Sequence, residues 1–162
     1  MATKAKNFEQ RFKQDWMTYC PDSFCYRLND QVSGYKGTSA NISDFLCYKY
    51  PLDYVIDCKT HKGNTISFSD FSQYERMLPY KDVKGMVLGT VIWFYEKDKI
   101  VWCPIQTWEK LKLEGKKSFN LKYIDDPNYD CFEIPSRKLR TYMETNYSYL
   151  TDVYEREYNE ID

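Results

Sequence analysis

The stretch from Gly85 to Tyr95 limits the fold more than any other. Met86, Val87, Leu88, Val91, Ile92, Trp93 and Phe94 make it a long apolar strand, and Glu96-Lys97-Asp98-Lys99 turns it into a second, Ile100-Val101-Trp102-Cys103. It falls far short of the ~18 apolar residues that a membrane span requires. Side chains this apolar need a core, and the chain can supply one. Among 162 residues are 16 Tyr, 9 Phe and 4 Trp, against 6 Gly and 6 Pro. That composition excludes a low-complexity or disordered chain, and the length suits one domain, residues 1–162. Met1-Ala2-Thr3-Lys4-Ala5-Lys6 is polar and leads directly into an amphipathic segment, the pattern expected of a soluble, cytoplasmic protein without a secretory signal.

The other elements follow from spacing. Phe8, Phe12, Trp16 and Tyr19 recur at helical intervals between Asn7, a candidate N-cap, and Cys20, with Pro21 ending the helix. Phe24 to Leu28 reads as a strand. Ile42 to Tyr50 and Asp53 to Thr60 read as two more, joined by Pro51-Leu52 into a hairpin. Asn29 to Asn41 has loop composition, with Tyr35 and Lys36 at its middle. After Gly63-Asn64, Ser69 or Asp70 caps a helix that runs to about Leu78, where Pro79 closes it. Gln106 to Leu113 is a further helix, and Pro135 opens a long terminal helix with Leu139, Tyr142, Met143 and Leu150 on its apolar side. A core of about residues 5–120 thus precedes a helical C-terminal region, about 121–162, with an acidic tail. Strands and helices in this order predict an α/β fold, layered around one sheet.

Formal charge is −1, yet Thr151 to Asp162 holds five acidic residues against Arg156, a net −4, which leaves the rest at +3. Such a body permits nucleic-acid binding without demanding it. The six cysteines (20, 25, 47, 58, 103, 131) form no C-x-x-C pair, and His61 is the single histidine, so no zinc-finger spacing exists. Disulfides stay open on parity; aromatic and aliphatic neighbours and a reducing compartment favour buried free thiols.

The chemistry-bearing piece is Asp57-Cys58-Lys59, with Ser43-Asp44 on the partner strand. Alternate side chains of a strand share a face, so Asp57 and Lys59 point one way and Ile56 and Cys58 the other. Burying a carboxylate and an ammonium in so apolar a strand is costly unless they pair or meet a metal. The hairpin can bring Asp44 beside them, and oxygen donors of this kind suit Mg²⁺. The bland reading is a half-exposed ion pair on a sheet face. Glu9 on the opening helix and Gln73 on the second helix flank the sheet at places that favour the catalytic one.

At this point the arrangement resembles the PD-(D/E)xK nuclease core, and within it the RecU-type Holliday-junction resolvases, especially short phage-encoded relatives. Ala5-Lys6-Asn7-Phe8-Glu9 is similar to the family's opening G-K-x-F-E, Ser43-Asp44-Phe45 to its T-D element, and Asp57-Cys58-Lys59-Thr60 to its E-x-K-x. Ser67-Phe68-Ser69-Asp70-Phe71 and Gln73-Tyr74-Glu75-Arg76-Met77 resemble the F-P-L-x-N-F and Q-x-x-x-M elements, and Gly115-Lys116-Lys117-Ser118-Phe119 the basic G-R-K-S-I stretch.

The resemblance implies a restriction-endonuclease-like fold, a mixed central sheet flanked by helices. It implies a Mg²⁺-dependent endodeoxyribonuclease, with Mn²⁺ as the other candidate ion, that resolves four-way DNA junctions as a homodimer by in-line attack of water, leaving 5′-phosphate ends. Asp44, Asp57 and the backbone carbonyl of Cys58 would hold the metal, with Glu9 reaching it through water or a second ion. Lys59 would be the catalytic lysine, and Gln73 would hold Lys59 or the attacking water. Lys6, Tyr35, Lys36, Lys116 and Lys117 would meet DNA. Three departures stand out: Asp57 where the family has glutamate, Ala5 where it has glycine, and a much shorter projection, Asn29–Asn41, between the first core strands.

Lys116 and Lys117 with Lys122 form the best phosphate-contact patch, and Arg137, Lys138 and Arg140 a second; either is equally readable as a solvated face. Trp93, Trp102 and Trp108, like Phe8, Phe12 and Trp16, read as core, and His61 as a surface residue. Tyr147, Tyr149, Tyr154 and Tyr158 suit a subunit contact or a cover for the core. Three rivals stay open: a nuclease of the same core acting on other branched or duplex DNA, a non-catalytic DNA-binding protein that keeps the fold, and a protein-binding module.

Overall fold

The computed structural model describes residues 3–29 and 41–161. Its elements are α1 (Lys4–Tyr19), β1 (Phe24–Arg27), β2 (Phe45–Lys49), β3 (Leu52–His61), β4 (Thr65–Ser67), α2 (Tyr74–Met77), β5 (Met86–Phe94), β6 (Lys99–Pro104), α3 (Ile105–Leu113), β7 (Ser118–Asn120), β8 (Phe132–Glu133), β9 (Ser136–Lys138), β10 (Met143–Thr145) and α4 (Ser148–Ile161). The main sheet runs β1-β2-β3-β5-β6-β8. Only β3 and β5 are parallel, so the sheet is mixed. The expected α/β architecture, a mixed central sheet flanked by helices, is what the chain adopts.

Strand β5 sits inside this sheet and is buried along nearly its whole length, which explains why it is apolar on both faces. On one face, Phe12 and Trp16 of α1 pack with Phe45, Tyr54, Ile56, Trp102 and, from the C-terminal region, Tyr147 and Leu150. On the other, Ile92, Val101 and Cys103 meet Phe71, Met77, Trp108 and Phe119. All four tryptophans expected in the core from sequence are buried, and so are all six cysteines, each a free thiol. Of the C-terminal tyrosines, Tyr147 lies in the core and Tyr154 accepts the Trp102 indole N–H at 2.7 Å. No helix among the described residues is long and apolar enough to cross a membrane.

Three expectations are corrected. The first helix starts at Lys4 rather than Asn7, because the Thr3 hydroxyl accepts the Lys6 amide at 3.2 Å and caps it. The segment expected as one helix to Leu78 is instead two 3₁₀ turns, Phe68–Asp70 and Leu78–Tyr80, around the single turn of α2. Its large apolar residues, Phe68, Phe71, Tyr74 and Met77, recur every third position, the period of a 3₁₀ helix rather than 3.6. Phe68 and Phe71 each place a ring centroid 5.0 Å from that of Trp108, so ring packing holds the tighter winding.

The third correction concerns the terminal helix. Residues after Pro135 form the antiparallel β9–β10 ribbon, and α4 begins only at Ser148. Two tertiary contacts decide this. The buried Asp15 carboxylate accepts the Thr145 amide at 2.9 Å, fixing β10 to α1, and the Asn146 side chain accepts the Ser148 amide at 3.0 Å at the start of α4.

Among the described residues, Gly89 is the glycine demanded by close approach. A Cβ there would lie 2.6 Å from the Cys103 carbonyl oxygen and 2.8 Å from both Pro104 Cα and the Trp102 ring, on the neighbouring strand. Backbone on that side leaves no room to yield. Gly89→Ala is therefore expected to destabilise the fold by about 1–3 kcal/mol, read by urea unfolding. An unchanged midpoint would mean that β5 and β6 are less tightly apposed.

Candidate active site

The site arises where β2 runs out. Phe45 pairs with Ile56, and one step further the same antiparallel register sets Asp44 against Asp57. Beyond that row β3 continues to His61 without β2 beside it. The Cys58 amide, which would have bonded to β2, instead donates to Asp44 Oδ2 at 2.8 Å. In an extended strand a residue's N–H and C=O point the same way, so the Cys58 carbonyl faces the same gap. Asp44 is held on its other side too, since its own carbonyl accepts the Leu28 amide at 2.8 Å.

Asp57 is fully buried. Lys59 Nζ lies 2.8 Å from its Oδ2, while Oδ1 has no hydrogen-bond partner among the described residues. Lys59 Nζ also donates to Gln73 Oε1 at 3.4 Å, and the Ser72 hydroxyl reaches the same oxygen at 3.3 Å. Asp44, Asp57, Lys59 and Gln73 are thus brought together as the sequence suggested. Burial, and then the adjacent Asp44 carboxylate, push the Asp57 pKa up to about 7 despite Lys59.

The residues suit a hard divalent cation. The donors are all oxygen, two carboxylates and a carbonyl, and a buried Asp57 oxygen lacks a partner. No group of three or more His, Cys, Asp or Glu side chains among the described residues is arranged to hold an ion. A magnesium site does not need one, because that ion keeps several waters.

Other expected residues lie elsewhere. Glu9 does not join the pair as a third carboxylate: its Oε2 accepts Arg27 Nε at 2.9 Å and Nη2 at 2.7 Å. Arg27 was not foreseen; the signal available was a charged residue closing the apolar Phe24–Leu28 run. Lys6 is exposed and, with Glu9, Gln10, Lys13, Gln14, Met17, Arg27 and Phe45, lines a cavity of about 690 Å³ between α1 and the first two strands.

Some of the basic residues read as phosphate contacts have partners within the fold. Lys116 donates to the Tyr129 hydroxyl, sits 3.9 Å from Glu114 and lies over the Tyr123 and Tyr129 rings, so its charge is used within the protein; Lys117 is exposed. Arg137 pairs with Glu144, and Lys138 with Asp98. These local partners are invisible in a linear count; Lys117 and Lys122 of the first group and Arg140 of the second are exposed. His61 is half-buried, with Nε2 3.6 Å from Asp70. Tyr35 and Lys36 lie outside the described residues.

No protein-family model and no curated protein matches the chain. Among solved structures, it is similar to that of Hjc, a Holliday junction resolvase from the archaeal hyperthermophile Archaeoglobus fulgidus. The identity is 15% and the TM-score 0.42, over 60% of this chain and 78% of that one.

The burial of Asp57 has a measurable consequence without metal. Its folded-state pKa stands above the ordinary 3.8, so its contribution to stability is complete below about pH 4 and is lost as pH rises through about 7. Asp57→Asn removes that loss. In EDTA the variant is expected to exceed the wild type in stability at pH 8 by more than ~1 kcal/mol, with little difference at pH 4.5, by chemical denaturation. A variant less stable at both pH values would contradict an uncompensated buried carboxylate.

Proposed function

We propose that this chain is a divalent-metal-dependent endodeoxyribonuclease of the PD-(D/E)xK kind that cuts branched DNA, with four-way junctions as substrate. The observation that carries the reading is the Asp44–Asp57 pair, its Asp57 fully buried, with Lys59 and Gln73 beside it. Two carboxylates and one ammonium leave a net negative charge in a water-poor recess, which a divalent ion would satisfy. Asp44, Asp57 and the Cys58 carbonyl would hold that ion. When bound, such an ion supplies Lewis acidity toward a phosphoryl oxygen and lowers the pKa of its water.

The chain's own groups supply the rest. Lys59 is a cation held 2.8 Å from Asp57 and turned toward Gln73, so it can orient the attacking water and offset charge developing on the phosphate. Gln73 fixes the ammonium and, through its amide, can hold a water. Arg27, held by Glu9 on the α1 side of the same sheet edge, would meet the DNA backbone, and Lys6, Lys13 and Lys117 would add phosphate contacts. Contacts of this kind give affinity and little sequence preference. Cutting two opposed strands calls for two copies of the site, hence a two-fold homodimer.

Incubation of a synthetic immobile four-way junction and a matched linear duplex with Mg²⁺ tests this. Preferential cleavage of the junction is expected, abolished by EDTA. Asp57→Asn and Lys59→Ala should each cut at least about 10²-fold more slowly while still binding the junction. Equal cleavage of both DNAs would favour a duplex nuclease, and wild-type rates in both variants would remove the site from the chemistry.

A further inference from the structure

Among the described residues, the main sheet carries an exposed aromatic surface. Phe24, Tyr26 and Tyr48 are 53%, 49% and 41% exposed, although their strand neighbours Cys25 and Cys47 are buried against α1. The register pairs Phe24 with Tyr48 and Tyr26 with Leu46, so all three rings lie on the face opposite α1. The same alternation places Asp44, Asp57 and Lys59 on that face. Tyr26 is one strand across and one same-face step along from Asp44, on the order of 8 Å by sheet spacing. The Phe24 and Tyr26 rings are parallel, with 1° between their planes and 6.1 Å between centroids. At the same edge of the sheet, on its α1 side, Lys6, Lys13 and Arg27 line the cavity described above.

We propose that Phe24 and Tyr26, bordered by Tyr48, form a stacking platform for unpaired DNA bases beside the candidate active site. The inference rests on the nuclease reading and adds what that site grips: nucleotides unstacked at a branch. Three observations favour bases over a second copy of the chain. Three rings at about half exposure offer roughly 300 Å², well below the ~800 Å² per partner of a stable protein interface. The rings adjoin the paired carboxylates, so a base within a nucleotide or two of the cut could reach them. Cations on the other side of the same edge can take the phosphates, the combination single-strand binders use. Asp53, paired in register with Tyr48, puts a carboxylate at the far end of the face, which leaves Phe24 and Tyr26 as the stacking pair.

The test uses a forked DNA with an unpaired 2-aminopurine at the branch and a linear duplex of equal length, both bound in EDTA. Phe24→Ala/Tyr26→Ala should bind the fork about tenfold more weakly and lose the stacking quench of the probe, with duplex affinity within about twofold. Tyr26→Trp alone, with Phe24 retained, should keep both. Circular dichroism checks the fold, and if the double variant is unfolded, Phe24→Leu/Tyr26→Leu, which keeps bulk without rings, is read instead with the same expected loss. Unchanged fork binding, or equal loss on both DNAs, overturns the platform. So does sedimentation showing a wild-type dimer that the variant dissociates, which would make the patch a subunit contact. A wild type that cuts branched DNA while the variant binds normally leaves the nuclease reading standing and removes only the platform. A wild type that neither cuts nor binds the fork removes both.

Discussion

Two carboxylates, Asp44 and Asp57, face each other at the point where one strand of the sheet stops and its neighbour goes on. That pairing is unfavourable alone, since like charges in a water-poor recess repel and lose hydration. Lys59 supplies one positive charge against two negative ones. The surroundings are organised to keep the arrangement in place rather than to relieve it. The Cys58 amide ties down Asp44, Gln73 ties down Lys59, and the core on both sheet faces prevents Asp57 from turning to solvent. A fold that holds an electrostatically incomplete cluster this firmly is preorganised for a positive ligand.

Much of the cluster was legible in the sequence because strand periodicity is strict. The two-residue hairpin connection and the alternation of Asp57 and Lys59 place three of the four groups from residue order alone. Gln73 was placed beside the sheet from the order of elements, and its role came only from family resemblance, while the winding around it was misread. Phe68, Phe71, Tyr74 and Met77 carry a period of three that looks helical until their rings are seen to close on Trp108. The terminal region failed for a different reason. Its shape depends on Asp15, more than a hundred residues away, and no local propensity reports such a contact. The partners of the basic residues were not legible either: Lys116, Arg137 and Lys138 stand alone in the string, yet Tyr129, Glu144 and Asp98 lie against them in the fold.

The first two strands divide the labour at the sheet edge. One face carries the acidic pair and the exposed rings. The other faces α1, whose Lys6 and Lys13 join Arg27 around the cavity. Arg27 and Tyr26 are successive residues that the pleat sends to opposite sides. A polynucleotide crossing this edge would find phosphate contacts on one side and, on the other, flat apolar rings with the proposed cutting site beside them.

The proposed metal centre is tested most directly by calorimetric titration of Mg²⁺ or Mn²⁺ into the metal-free protein near pH 6.5, in buffers of different ionisation enthalpy. Burial keeps a proton partly on Asp57 at that pH, and a bound ion must displace it. Saturable binding accompanied by net proton release, both lost in Asp44→Asn, is the expected result. Absence of binding heat in every buffer, or binding that Asp44→Asn leaves intact, would contradict a cation held by these carboxylates.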